Sequence, residues 1–374
     1  MEILHAMLKK GINLGATDVH LAPGQLPIYR VRRQLFFDKA RLPVSVPTLN
    51  EILEYFYSIS KGLRELFEEK KQADVSYSYA EHRFRINISL TKGVPTFAIR
   101  IIPNGIIDVS DLGLVDIINK MKKIQSGLIL LTGKVNTGKS TTMNAFIQEV
   151  NKVYNKKIVT LEDPIEYEHT SDQSIIIQKE IGDQSDVNSY YDGLINLLRE
   201  DADISVLGEI RDRRTMDVAL DLAESGGLVI GTLHTRSCGE TIERIINLYD
   251  PADQGTIKNS VSSVLQMVVS QKLLVSTKDE LIMVPEIMIV NNIIAALIRQ
   301  EKFSVADIED AIHTQRSNGS LSFEYSFSEL YNKGLLSMDT IKNNIDAERL
   351  NVIKSLVLNN GGSLEDDNTI SRYN

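Results

Sequence analysis

The sequence predicts an α/β protein of two parts, in which a smaller N-terminal α/β unit precedes a domain built around a parallel sheet and ending in helices. Two observations support this prediction. Four apolar segments, GLILLTG, IVTLED, ISVLGEI and LVIGTLH, are each followed by a loop or a helical stretch. Strands that are apolar along their whole length are buried on both faces, which is typical of parallel sheets. The first segment also runs into a glycine-rich loop and a helix, an arrangement that favours phosphate binding.

The composition is that of a globular protein with room for more than one domain. At roughly 100–200 residues per domain, a chain of 374 residues suggests two or three domains. Hydrophobic residues make up 43% and charged residues 24%, and no apolar run approaches the length that spans a bilayer. The first residues also lack the long apolar stretch and cleavage site of a signal peptide, so we expect a cytoplasmic protein.

Charge and cysteine content exclude several kinds of site. The formal net charge of −9 disfavours a general affinity for nucleic acid, whose phosphates select a basic surface. The single cysteine, Cys238, excludes an internal disulfide and leaves no Cys-x-x-Cys zinc motif. We therefore expect no structural metal.

The N-terminal part, residues 1–103, has the pattern of a small mixed α/β domain. Its segment HRFRINISL alternates, with Phe84, Ile86 and Ile88 on one face and polar residues on the other, as a half-buried strand requires. After it, Pro and Gly interrupt any regular period, which predicts a linker at residues 104–113.

The remainder of the chain divides by its periodicity. The four apolar strands lie in a core that we place at residues 114–290. Residues 291–350 place apolar residues three or four apart between turn-forming Gly and Ser, which predicts a helical C-terminal region. Residues 351–374 end in a stretch without aliphatic density, and we expect this tail to be disordered.

The segment GKVNTGKST satisfies the phosphate-loop pattern G-x-x-x-x-G-K-[ST], with an apolar strand before it and a helix after it. Its glycines let backbone N–H groups curl around phosphate oxygens, and the helix N-terminus adds a positive dipole. Lys139 would bridge the β- and γ-phosphates, and Ser140 would supply a ligand to Mg2+. We therefore predict a site for ATP and Mg2+ whose binding residues are Gly133, Lys134, Val135, Asn136, Thr137, Gly138, Lys139, Ser140 and Thr141.

Acidic residues follow two further strands, with Glu162 and Asp163 after IVTL and Glu209 after ISVLG. Acids at strand ends are usually solvated loop residues. Here, however, three strands of one predicted sheet converge, and ligands of such sheets bind at the carboxyl ends of the strands. Phosphoryl transfer needs acids that hold magnesium and orient water. His234 closes the fourth strand, where it could contact a γ-phosphate or a catalytic acid, or serve as an ordinary structural histidine.

Taken together, these motifs resemble those of the type II/IV secretion ATPases. The resemblance is broad and runs nearly to residue 340. The segments that carry it are ATDVHLAPG, PIYRVRRQL, the phosphate loop, TLEDPIEYEH (160–169), LREDADISVLGEIRD (198–212) and GTLHT (231–235). They look like the family's opening segment, Walker A loop, Asp box, Walker B region and His box.

The resemblance implies a PAS-like N-terminal domain, a RecA-like P-loop ATPase domain with a helical C-terminal region, and a homohexamer with ATP bound between the domains. It places Glu209 at the Walker B position, with Gly208 where most P-loop enzymes carry a magnesium-binding Asp. The catalytic residues it implies are Glu209, Glu162, Lys139 and His234. The Mg2+ ligands are Ser140, Asp163 and Glu162. The candidates for arginine fingers, which would otherwise be a solvated strand face, are Arg83, Arg85 and Arg100.

Within the family, the chain is most similar to the ATPases that retract type IV pili in twitching motility. It has neither the longer N-terminal region nor the four-cysteine zinc site of the extension ATPases. In contrast, Ala295 stands where the retraction proteins carry the first arginine of the motif AIRNLIRE, whereas Arg299 keeps the second. Lys134 and Asn136 also replace the usual proline and glycine of the loop.

We therefore predict a hexameric motor ATPase that hydrolyses ATP to ADP and phosphate and powers pilus retraction. The resemblance implies that it acts at the inner face of the cell membrane on a pilus platform protein. One alternative is a pilus-extension or competence-pilus ATPase of the same family. The others are a RecA-like nucleic-acid-dependent ATPase, which the acidic balance disfavours, and a nucleotide-binding regulator without hydrolysis.

Overall fold

A computed structural model of the chain describes residues 1–31, 34–102, 109–110, 113–182 and 186–364. The chain forms two compact units, which we call the N-terminal unit and the P-loop unit. The N-terminal unit comprises Met1–Ile106, Asp163–His169 and Glu180–Asn188, and the P-loop unit comprises Ile107–Glu162, Thr170–Lys179 and Ser189–Asn374. Two short segments from the middle of the sequence therefore belong to the first unit, whereas the predicted division of the chain is a single linker at residues 104–113. Most of the predicted linker, at 104–108 and 111–112, lies outside the described residues.

The N-terminal unit is an antiparallel sheet covered by helices. Its strands occur in the order β3-β2-β1-β6-β5-β4. Phe84, Ile86 and Ile88 of the alternating segment are fully buried, as predicted from their spacing. The elements of this unit are α1 (Glu2–Asn13), β1 (Asp18–Leu21), β2 (Ile28–Val31), β3 (Gln34–Phe37), α2 (Val46–Ile59), α3 (Leu63–Lys70), β4 (Ala73–Tyr79), β5 (His82–Thr91) and β6 (Val94–Ile102).

The P-loop unit is built on a mainly parallel sheet in the order β13-β12-β7-β11-β10-β8-β9. The four strands predicted from their apolar runs are adjacent and parallel, and they form the centre of this sheet. The flanking strands were not predicted from the sequence, because polar residues interrupt their apolar runs. The strands are β7 (Gly127–Thr132), β8 (Lys157–Glu162), β9 (Ile175–Glu180), β10 (Ile204–Leu207), β11 (Leu228–Leu233), β12 (Leu265–Val275) and β13 (Leu281–Ile289).

Helices of the P-loop unit pack against this sheet and continue as the helical C-terminal region. None of the described helices combines the length and the apolar character that crossing a membrane requires. The helices are α4 (Val115–Met121), α5 (Lys139–Asn151), α6 (Tyr190–Leu197), α7 (Arg213–Glu224), α8 (Cys238–Ile246), α9 (Gln254–Val264), α10 (Asn292–Arg299), α11 (Val305–Thr314), α12 (Phe323–Asn332), α13 (Met338–Lys342) and α14 (Ala347–Asn359).

Helix α14 corrects one prediction, because it runs through residues 351–359 of the tail that we expected to be disordered. Asp346 caps its first turn, and Ile353 and Val357 are fully buried in a cluster with Phe327. Two apolar residues four positions apart lie on one face of a helix, as Ile353 and Val357 do. The polar residues that follow them had favoured the prediction of disorder over this short helical pattern. Residues 365–374 of the predicted tail lie outside the described residues.

Candidate functional site

The phosphate loop joins β7 to α5 and depends on three residues with positive φ. Gly133 has φ +146°, Asn136 has φ +63° and Gly138 has φ +87°. A Cβ on Gly133 would stand 2.5 Å from Thr137 Oγ1 and 2.6 Å from the carbonyl oxygen of Gln271, so only glycine fits there. Asparagine tolerates the left-handed conformation better than most residues, which explains how Asn136 replaces the usual glycine. The loop therefore retains the curled backbone that phosphate binding needs.

Lys139 begins α5 and points back into the loop. Its side chain is buried, and Nζ donates hydrogen bonds to the carbonyl oxygens of Gly133 at 2.9 Å and Lys134 at 3.0 Å. The ammonium group is thereby held at the centre of the loop, close to the N-terminal end of the helix. Both features place positive charge where a bound phosphate would lie.

His234 and Glu209 continue from Lys139 across the carboxyl edge of the sheet. His234 Nδ1 lies 3.3 Å from Lys139 Nζ, and its Nε2 lies 3.3 Å from Glu209 Oε1. Arg211 contacts the other carboxylate oxygen of Glu209 at 2.7 Å. Burial raises the pKa of Glu209, but the hydrogen bond and charge of Arg211, with the charges of His234 and Lys139, bring it below its ordinary value. Three predicted site residues, from β7–α5, β10 and β11, are therefore brought into one connected group.

Glu162 lies at the end of β8, opposite Gly208. Only 3% of it is exposed, and its Oε1 accepts hydrogen bonds from Thr160 Oγ1 at 2.7 Å and from Gln178 Nε2 at 3.1 Å. A buried carboxylate with two donors to one oxygen is held in a fixed orientation. The contact between Glu162 and Gln178, on β9, was not predicted from the sequence, because strand β9 was not identified there.

The remaining candidates for Mg2+ ligands are Ser140 and Asp163. Ser140 lies in the first turn of α5, where its carbonyl oxygen accepts a hydrogen bond from Asn144 Nδ2 at 2.8 Å. Asp163 follows Glu162 in sequence but belongs to a segment of the N-terminal unit. Within the described ranges, no three His, Cys, Asp or Glu residues are arranged as a metal cage. Hydroxyl and carboxylate oxygens such as those of Ser140 and Glu162, both in the P-loop unit, are of the kind that Mg2+ binds together with nucleotide phosphates.

Each of the three finger candidates has a carboxylate partner within the N-terminal unit. Arg83 contacts Glu168 at 2.6 Å and Glu180 at 3.0 Å. Arg85 lies 3.7 Å from Asp74, and Arg100 lies 3.3 Å from Asp18. Arg83 is the most enclosed, with 18% of its side chain exposed against 40% for Arg85 and 54% for Arg100. An exposed pair costs little to break, so Arg85 and Arg100 could leave their partners most easily.

A cavity of about 450 Å³ opens beside the phosphate loop within the P-loop unit. Its lining includes Gly133, Lys134 and Thr137 of the loop, and Lys272 and Arg349 from later in the chain. Burial and the charge of Arg349 lower the pKa of Lys272, whose Nζ lies 4.4 Å from the centre of the Phe323 ring. A cavity of this size is in the range of small-ligand sites. Lys272 and Arg349 were not predicted from the sequence, because they lie far along the chain from the loop.

The fold and the site define a P-loop ATPase with a RecA-like parallel sheet and a second α/β unit. The chain belongs to the family described as type II/IV secretion system protein, which matches residues 2–283. Family membership confirms the resemblance and the fold class predicted from the motifs. The boundaries of the domains and the roles of the individual site residues stay predictions.

The chain is also similar to individual proteins over most of its length. It is 33% identical to the type IV pilus retraction ATPase PilT of Pseudomonas aeruginosa, over 88% of this chain and 94% of that protein. It is 32% identical to a twitching motility protein of Neisseria gonorrhoeae, over 75% and 74% of the two chains. A crystal structure of the pilus retraction motor PilT with bound ADP superposes with a TM-score of 0.83 at 33% identity, covering 93% of this chain and 98% of that one.

Proposed function

We propose that this ATPase powers the retraction of a type IV pilus. The observation that supports the proposal most strongly is the 33% identity to a pilus retraction ATPase over nearly the whole length of both chains. The phosphate loop and the connected group of Lys139, His234 and Glu209 provide the chemistry that such a motor needs. In such a motor, conformational change is coupled to the binding of ATP and the release of ADP and phosphate.

The site residues take the following roles. The loop backbone and Lys139 hold the β- and γ-phosphates, and Ser140 contacts the Mg2+ that accompanies the nucleotide. Glu209 accepts the proton of the attacking water, and His234, between Glu209 and Lys139, reports the presence of the γ-phosphate. Glu162 orients the hydrogen-bonding groups around the metal, with Asp163 as a further candidate ligand. Mg2+ supplies charge that stabilises the phosphoryl group during transfer.

The proposal includes a homohexamer that acts on a pilus platform protein at the inner face of the cell membrane. Arg83, Arg85 and Arg100 are candidates for fingers that stabilise the charge of the transferring phosphoryl group, a role worth several orders of magnitude in rate. The high exposure of Arg100 and Arg85 makes these two the first choices.

Deleting the gene distinguishes a retraction motor from an assembly motor. Loss of retraction should leave pili on the cell surface and abolish twitching, because pili still assemble but are not withdrawn. Electron microscopy of the deletion strain, complemented with the wild-type gene as a control, measures the outcome. Loss of surface pili on deletion would contradict the proposal.

One observation favours the second candidate, a pilus-extension or competence-pilus ATPase. Ala295 lies on the inner face of α10 with 8% exposure, and the retraction motif would place an arginine there. Arg299, which the motif shares, donates a hydrogen bond to Ser262 at 3.0 Å. The absence of surface pili in the deletion strain would support this candidate.

Arg211→Ala should move the acidic limb of the pH–rate profile to higher pH. Arg211 lowers the pKa of Glu209, so its removal lets the carboxylate bind a proton at a higher pH. Since a general base must be ionised, the rate should then fall earlier as the pH decreases. The measurement is kcat/KM against pH, with Arg214→Ala, an exposed neighbour, as the control. A profile that does not move would argue against Glu209 as the base.

A further inference from the structure

One position of the site, Gly208, carries no side chain. In P-loop ATPases, the residue at this position is usually an aspartate that helps to hold Mg2+. Here the backbone of Gly208 is fixed, because its N–H donates to the carbonyl oxygen of Leu161 at 2.8 Å and its own carbonyl accepts from Thr232 Oγ1 at 2.6 Å. The position of residue 208 is therefore fixed, but as a glycine it offers no carboxylate group to the site.

The hydroxyl group of Tyr190 lies where a side chain of residue 208 would extend. A Cβ on Gly208 would stand 2.8 Å from Tyr190 Oη, 3.1 Å from the carbonyl oxygen of Leu161 and 3.3 Å from Glu162 Cα. A contact of 2.8 Å is closer than a Cβ tolerates, so the hydroxyl group and a side chain at residue 208 exclude each other. This position is also next to Glu162, and Glu209 follows Gly208 in the chain.

The position of Tyr190 follows from how α6 is held. Tyr190 is the first residue of α6, and Ser189 caps the helix by accepting a hydrogen bond from the N–H of Asp192 at 3.1 Å. Gly193, one turn later, lets the helix approach β8 so closely that a Cβ there would stand 2.8 Å from the Leu161 side chain. Close packing of α6 on β8 therefore carries the phenol to the carboxyl edge of the sheet.

We propose that the Tyr190 hydroxyl group takes the place of the aspartate that is absent at residue 208 and acts as a positioning residue for the water shell of nucleotide-bound Mg2+. The inference rests on the proposed function. A phenol can both donate and accept a hydrogen bond, and Mg2+ in nucleotide sites keeps several of its waters. A phenol is ordinarily uncharged near neutral pH, so Glu162 and Glu209 remain the acidic residues at this edge of the sheet.

Tyr190→Phe tests the proposal, because it removes the hydroxyl group and keeps the ring. The affinity of the full-length protein for ADP is measured by titration calorimetry, once with Mg2+ and once with EDTA. In the wild-type protein, Mg2+ should tighten ADP binding. In Tyr190→Phe, this tightening should fall about 3- to 10-fold, the value of one hydrogen bond, while the affinity in EDTA stays unchanged. Tyr191→Phe, at the exposed next position, is the matched control and should behave as wild type.

Gly208→Ala provides a second, independent variant. Its methyl group is directed at Tyr190 Oη and should displace the hydroxyl group without removing it. We expect a loss of Mg2+-dependent tightening here as well, and the double variant should lose less than the sum of the two single variants, because both act on the Tyr190 hydroxyl group.

An unchanged effect of Mg2+ in Tyr190→Phe would overturn the proposal. An equal loss of affinity in the Mg2+ and EDTA titrations would also overturn it, because it would show that the hydroxyl group only supports the packing of the site. Failure of the wild-type protein to bind ADP would instead contradict the proposed function.

Discussion

Lys139→Ala is expected to lower the rate of ATP hydrolysis by about 100-fold or more, the cost of losing a principal group that stabilises transition-state charge. Lys139 Nζ lies at the centre of the phosphate loop, held by the carbonyl oxygens of Gly133 and Lys134. The rate is measured as phosphate release at saturating ATP. Lys152→Ala, at the other end of the same helix and 52% exposed, is the control and should keep the wild-type rate.

The folding of the variant must be separated from its chemistry. Lys139 also links the two sides of the loop by hydrogen bonds, so alanine removes contacts as well as charge. Melting temperatures without nucleotide should show a folded protein, while the affinity for ADP should fall. A folded Lys139→Ala protein that hydrolyses ATP at the normal rate would refute the catalytic assignment.

The same variant can show whether an arginine acts on a neighbouring subunit. Lys139→Ala protein is mixed with Arg100→Ala, Arg85→Ala or Arg83→Ala protein, each inactive alone if its arginine is essential. A finger that acts across an interface restores activity in mixed oligomers, because some sites then contain both an intact loop and an intact arginine. The absence of recovery in all three mixtures would argue against fingers in trans.

Glu209→Gln is expected to lower hydrolysis by about 100-fold or more while leaving ADP binding nearly unchanged, which is the size of a general-base contribution. Its lowered pKa keeps the carboxylate ionised at neutral pH, and its contact with His234 directs it towards the loop. Glutamine preserves the shape of the side chain but cannot accept the proton of water. Single-turnover hydrolysis measures the effect, and Glu224→Gln, an exposed residue at the end of α7, is the control.

Glu162→Gln should have the smaller effect on the chemical step. One oxygen of Glu162 already accepts hydrogen bonds from Thr160 and Gln178, and the group is almost completely buried. It is therefore suited to holding its surroundings in place rather than to taking a proton. A larger loss in Glu162→Gln than in Glu209→Gln would reverse the two assignments.

The sequence alone determined the features that depend on local pattern. The phosphate loop is a contiguous motif, and its chemistry can be predicted from eight neighbouring residues. The central strands β7, β8, β10 and β11 are apolar throughout, so burial on both faces was evident from composition. In β5, the alternation of apolar and polar residues identified the one face that is buried. The family followed because several such motifs occur in order along one chain.

The packing of strands and helices determines which of these residues meet. The contact between Lys139 and His234 joins residues 95 positions apart, and no periodicity specifies such a pair. The closeness of Tyr190 to Gly208 depends on the packing of α6 against β8, and the pairing of Glu162 with Gln178 depends on an edge strand that the sequence did not reveal. Local propensity follows from neighbours in the chain. Contacts across the carboxyl edge of the sheet follow from how strands and helices pack, which is a property of the whole fold.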